Sequence, residues 1–343
     1  MMSVKVFLLV QLFCLAVVLS AQAEEKTDYK QLPLPEKVVP ADATVGTAAL
    51  VCFLEGPAVD AAGNIYFSDI AGSRILKSDP DGKVIVFRED AGRTNGNTFD
   101  AQGRLISCEG AEMGPGGRRR VTRTDLKTGK VEVLTDKYAG KRYNSPNDVV
   151  VDTNGRIWFT DPLYSPDKSN KEMEDEAVYR IDPDGKVTRI LTQPQIHKPN
   201  GIAITPDAKT LYVVDSNPAK DGNRKIWSFA VADDGSLSKQ KLIWDFGKAR
   251  GGDGMRLDTE GNLWIAAGVS YKRSEFETTE VPPGVYVVSP DGKMLGRIPI
   301  VEDLITNLAF GGPDRKTLYV TAGKTLYKVP VKVQGYALYP PLK

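Results

Sequence analysis

The sequence predicts an all-β chain, a six-bladed β-propeller of four-stranded antiparallel blades. Three observations predict it. The same phrase recurs six times, as EGPAVDAAGNIYFSD, NGNTFDAQGRLISCE, NDVVVDTNGRIWFTD, NGIAITPDAKTLYVVD, DGMRLDTEGNLWIAA and NLAFGGPDRKTLYVTA. The phrases begin at Glu55, Asn95, Asn147, Asn200, Asp253 and Asn307, so successive starts lie 40, 52, 53, 53 and 54 residues apart. That period suits four-stranded blades. Each phrase alternates apolar and polar residues, turns through Gly, Asn or Asp, and resumes in β-branched and aromatic residues, which is hairpin grammar without a helical period.

Taken in order, the chain opens with Lys5 and an apolar run from Val6 to Leu19, broken only by Gln11, ahead of Ala21-Gln22-Ala23. Residues 1–23 read as a secretory signal peptide, with a run short for a membrane span. The expected location is therefore exported, periplasmic or extracellular, with no stable membrane insertion once the signal is removed. Residues 24–46, with several Pro and charged residues, read as an extended lead-in. The propeller is expected over 47–343. Each phrase supplies two strands, and a following segment with its own turn, such as SRILKSDPDGKVIVF or EAVYRIDPDGKVTRIL, supplies two more. After the sixth third-strand, Lys324–Val331, little chain remains for a fourth. Thr47–Leu54 is expected to provide that outer strand and close the ring.

Composition narrows the function. The chain carries 45 basic and 44 acidic residues, and loss of residues 1–23 removes one Lys, leaving 44 of each. A neutral protein lacks the basic excess that nucleic acid or a polybasic membrane role needs. Cys52 and Cys108 follow the signal; export permits a disulfide, but their strand-like contexts favour buried thiols. No Cys/His cluster supports a zinc-finger, haem or iron–sulfur centre. A serine hydrolase would have to be built on His197, the single histidine, yet no G-x-S-x-G elbow is present. Gly114-Pro115-Gly116-Gly117 lacks the Lys and helix of a phosphate loop. Arg118–Arg120 read as a solvated hairpin, and the acidic residues ending the second strands, Asp69, Glu109, Asp161 and Asp215, as turn-stabilising groups.

The first residue of each phrase carries a side-chain oxygen. In a radial repeat equivalent positions face one axis, so six such residues should converge. Two carboxylates and four amides without His or Cys make a site for a hard cation. Such a site, if left with open positions, suits either a metal-assisted hydrolase or an ion that merely pins the blades.

The phrases LEGP (54–57), YNSPNDVVVD (143–152), FTDPLY (159–164), PNGIA (199–203) and GGDGM (251–255), in this order, resemble the regucalcin, gluconolactonase and luciferin-regenerating-enzyme family across nearly the whole mature chain. The resemblance is strongest to exported bacterial gluconolactonases. It implies a calcium ion, with Mg2+, Mn2+ or Zn2+ as alternatives, held by Glu55, Asn147, Asn200 and Asp253. It further implies that Asp253 is the catalytic carboxylate and that Asn95 contacts substrate. Asn307 matches the family least well. The family's CEH after the second strand of blade two is here Cys108-Glu109-Gly110, so the His is absent. The expected activity is hydrolysis of sugar lactones such as glucono-δ-lactone, the expected partner a small lactone. A phosphotriesterase or arylesterase on the same site, and a non-catalytic metal-stabilised propeller, are the alternatives.

Overall fold

The computed structural model describes residues 53–112 and 116–341. Six antiparallel blade sheets follow one another along the chain, each formed of consecutive strands, with a separate two-stranded ribbon, Lys137–Tyr138 and Lys141–Arg142, between the second and third and no helix among the described residues. The innermost strands are Leu54–Val59, Thr94–Phe99, Val149–Val151, Pro199–Ile204, Gly252–Leu257 and Ile305–Gly311. Five sheets have four strands, and the sixth has three among the described residues. This is the six-bladed propeller expected. Of the proposed closing strand, residues 47–52 lie outside the described residues, as do the signal peptide and the lead-in. Leu54 belongs elsewhere than expected: it opens the innermost strand of blade one, where its N–H donates to Gly323 O of blade six at 2.8 Å.

The recurring phrase has a local physical meaning. Its sixth residue, Asp60, Asp100, Asp152 or Asp258, accepts two backbone N–H groups across the turn at 2.9–3.0 Å. This is the Asx turn, in which a short carboxylate replaces a backbone acceptor. Gly63, Gly103, Gly155 and Gly261 complete these turns at φ of +82°, +74°, +79° and +84°, a region costly to a residue with a Cβ. In blades four and six the Asp moves into the turn itself, as Asp207 and Asp314, and Ala208 and Arg315 take the positive φ at 56° and 53°. One extra residue then follows the turn, which is why their phrases run longer.

Each interface between neighbouring blades encloses its own apolar cluster. Ile75 and Phe99 mark the one between blades one and two, Tyr143 and Cys108 the next, then Trp158 with Ile202, Ile226 with Met255, and Trp264 with Phe310. Leu54 and Phe67 pack with Tyr319 and Leu326 between blades one and six, so the ring is closed by burial. Outer strands are solvated on both faces at their exposed ends, as the consecutive exposed residues Val84, Ile85 and Val86 show. Beyond the last strand, Thr325–Pro330, the tail crosses the face where the innermost strands end. Tyr336 N–H donates to Leu257 O at 2.9 Å, and Leu338 and Tyr339 join the clusters of blades two/three and one/two.

Cys108 is a buried free thiol, with Sγ 3.9 Å from Asp148 O, in keeping with the thiol reading; Cys52 lies outside the described residues. The solvated-hairpin reading of Arg118–Arg120 needs correction. Arg119 is buried and donates to Asn170 O at 2.6 Å, while Arg120 pairs with the fully buried Glu109 at 2.7 Å. The buried carboxylate recruits Arg120 out of solvent, because leaving it unpaired would be costly. The expected turn-stabilising role is observed for Asp69, Asp161 and Asp215 but not for Glu109, which binds arginine side chains instead. Asp161 accepts the Asn144 and Ser145 N–H groups at 2.8 and 2.7 Å, and Asp215 those of His197 and Lys198 at 3.1 and 2.8 Å.

Candidate active site at the mouth of the central channel

The six phrase-opening residues lie where the innermost strands begin, and all are buried: Glu55, Asn95, Asn147, Asn200, Asp253 and Asn307 are 2–7% exposed. In five blades the pairing register of the innermost strand breaks at this residue. In blade three the strand itself starts only at Val149, and Asn147 N–H still reaches Thr160 O at 2.8 Å. Such irregularities re-aim a side chain, which in a flat ladder would point into the neighbouring blade.

Four of the six are followed by glycine, and the reason is close approach. A Cβ on Gly56 would lie 2.3 Å from Asn95 O, one on Gly96 2.4 Å from Asn147 O, and one on Gly201 2.2 Å from Asp253 O. On Gly254 it would meet the Asn307 side chain at 2.1 Å. Each glycine lets its blade bring its backbone against the next ring residue.

Electrostatics single out the two carboxylates. Burial pushes the Glu55 carboxyl well above its usual range, and the negative charges of Asp253 and Asp148 push it further. Burial likewise raises Asp253 to about 6, against the opposing pull of Arg250. The Arg250 guanidinium pairs with Asp253 Oδ2 and donates through Nη1 to Ile305 O at 2.9 Å. Asn307 donates from Nδ2 to Glu55 Oε2 at 3.2 Å, and its own Oδ1 accepts Leu308 N–H at 2.9 Å. Asn307 is thus turned to hold Glu55, with its oxygen satisfied locally.

Among the described residues no trio of His, Cys, Asp or Glu gathers as a metal site, so any ion on the axis has to be held partly by amides. The ring fits a hard divalent cation on that basis. Its donors are oxygens, its two carboxylates carry charge that burial leaves undercompensated, and Asn95 Oδ1 is buried without a hydrogen-bond partner.

Beneath the ring, Arg256 reaches from blade five to blade three, with Nη1 3.1 Å from the fully buried Asp148 Oδ2. Beyond this ion pair lies a cavity of about 680 Å³, lined by residues that include Asn97, Arg256, Phe310, Tyr336 and Tyr339 and by none of the ring residues. Three residues of this neighbourhood have no specific role in the sequence reading. Tyr164 ends FTDPLY, Asp148 follows Asn147, and Arg250 stands three residues before Asp253. The phrases contained them, but only the fold turns them toward the ring.

Fold and site together define a six-bladed propeller with an oxygen-lined mouth on its axis. Comparison with known proteins gives the same class: residues 53–324 match the SMP-30/Gluconolactonase/LRE-like region, and the chain belongs to that family. It is 32% identical over 302 residues to a gluconolactonase of Zymomonas mobilis, covering 82% of this chain and 79% of the relative. A pentonolactonase of Haloferax volcanii is 26% identical over 262 residues, covering 75% and 76%. A solved gluconolactonase of Xanthomonas campestris superposes with a TM-score of 0.68 at 34% identity, covering 82% of this chain and 87% of that one.

Proposed function

We propose that the protein hydrolyses sugar lactones such as glucono-δ-lactone at the ring, using a divalent cation, calcium in the first place. The observation that carries the reading is the pair of buried carboxylates, Glu55 and Asp253, with the charge of Asp253 pressing on Glu55, on an axis otherwise lined by amides. The lactonases among the relatives support the substrate class. Glu55, Asn147, Asn200 and Asp253 are the residues that would hold the ion, with Asn95 free to accept a sugar hydroxyl.

A cation so held would polarise the lactone carbonyl and stabilise the oxyanion formed on it. Water adds to the carbonyl carbon, the ring C–O bond breaks, and a proton reaches the ring oxygen, leaving a hydroxy acid. Asp253 accepts the proton of the attacking water. The Arg250 guanidinium on Oδ2 weakens that carboxylate as a base, so electrostatic activation of the carbonyl supplies the larger share of the rate. Asn307 and the Gly56 N–H, 2.9 Å from Oε2, keep Glu55 in place.

The test is acid release from glucono-δ-lactone before and after exhaustive chelation, then with calcium restored. Turnover should vanish and return. Chelation should also lower Tm, since an ion at 100 times its Kd stabilises the folded state by about 2.7 kcal/mol. Full turnover in demetallated protein removes the cation from the reading, and a preference for phosphotriesters over lactones replaces its substrate class.

A further inference from the structure

We propose that Tyr164 is a positioning residue for this site: its hydroxyl engages the Asn200 amide nitrogen and thereby presents the Asn200 carbonyl oxygen to the cation. The inference rests on the divalent-cation reading above.

An asparagine amide has two ends of nearly the same size, and only the oxygen can ligate a hard cation. Shape alone does not choose between them. Here the choice follows from a chain of hydrogen bonds with one direction. Ser216 O is a carbonyl and can only accept; the Tyr164 hydroxyl, 3.1 Å away, therefore donates to it. With its hydrogen committed, the phenolic oxygen accepts from Asn200 Nδ2 at 3.1 Å. Asn200 also lends a hydrogen bond to the Asp253 carboxylate, so both hydrogens of the amide nitrogen are committed and the oxygen is the end left to ligate. Asn307 is the counterexample within the same ring, since its Oδ1 is taken by Leu308 N–H and its nitrogen faces Glu55. Orientation is decided residue by residue.

Tyr164 is itself well anchored. Its backbone N–H donates to Glu112 Oε1 at 3.0 Å, from the loop after the second strand of blade two. The Lys198 ammonium sits 5.0 Å from the ring centroid and is held by Glu176 at 2.6 and 2.8 Å and by Leu163 O at 2.9 Å. Groups from blades two, three and four thus fix the phenol. A hydrogen-bond partner that orients a metal ligand commonly controls affinity about 10–100-fold.

The experiment measures calcium affinity by calorimetry on demetallated protein. Tyr164→Phe keeps the ring beside Lys198 and deletes the hydroxyl, and circular dichroism in chelator shows whether the fold is retained. Affinity should fall by about 10–100-fold. The same change is then made in an Asn200→Asp background, where a carboxylate presents an oxygen whichever way it turns. There the loss should largely disappear, since the two residues act through one contact. Unchanged affinity on Tyr164→Phe overturns the assignment. An equal loss in both backgrounds also overturns it, because the phenol then acts by packing. A wild-type protein that binds no divalent ion removes the cation reading, and the assignment with it.

Discussion

Asp253 shows what one residue is asked to do at this site. Its carboxylate lies buried beside Glu55, shares charge with Arg250, and is raised to about 6, so it is largely ionised at neutral pH without being inert as a base. Asparagine preserves its shape and one oxygen but removes both the charge and the proton acceptor. Asp253→Asn should lower lactone turnover by about 10²–10⁴-fold, the range for a positioned acid or base, while Tm in chelator stays near that of the wild type. Steady-state rates at fixed calcium check it. A variant that binds calcium normally and loses little rate would make Asp253 a ligand only and place the base elsewhere.

The strand–turn–strand phrase is the unit from which the ring is made, and its glycines are where two elements meet. Gly201 has an ordinary φ, so its need for glycine comes from the neighbouring blade alone: a Cβ there would meet backbone, Asp253 O at 2.2 Å and the Gly254 carbons at 3.0 Å. Backbone cannot swing aside as a flexible side chain does. Gly201→Ala should therefore cost about 1–3 kcal/mol, the typical toll of overpacking, measured by urea unfolding. Because the clash falls on the Asp253 peptide, turnover in the folded variant should fall as well. A variant as stable and active as the wild type would mean the blades can separate there freely.

Across the whole molecule, closure comes from matched apolar faces at each interface and from the tail. Gln334–Pro341 crosses the end of the channel opposite the ring: Gly335 N–H donates to Arg315 O at 3.0 Å, Arg315 Nη1 to Ala337 O at 3.0 Å, and Tyr339 packs on Phe99 with centroids 5.7 Å apart. The tail thereby ties blade six to blades one, two, three and five. A chain ending at Val333 should lose roughly 1–2 kcal/mol for each of Tyr336, Leu338 and Tyr339, all partly buried, and unfold at lower urea. Its lactone turnover below the transition should persist, since the ring lies at the other mouth. An unchanged urea midpoint would show that the tail is carried passively.

The sequence by itself determined the blade count, the turns and the ring positions. Those are properties of a local repeat: an Asx turn needs its Asp and Gly at set offsets, alternation sets which face is buried, and a six-fold repetition of Glu, Asn or Asp at one offset names the axis. Tertiary structure alone decided how the ring residues are oriented. Tyr164 and Asn307 act through partners 36 and 252 residues away, and Arg250, only three residues from Asp253, is also held by Ile305 O of the next blade. Arg119, read as solvated, proved buried for the same reason, its acceptor lying 51 residues on. Repetition encodes what every blade shares, whereas the direction of a hydrogen bond depends on the particular neighbour each blade meets once the ring has closed.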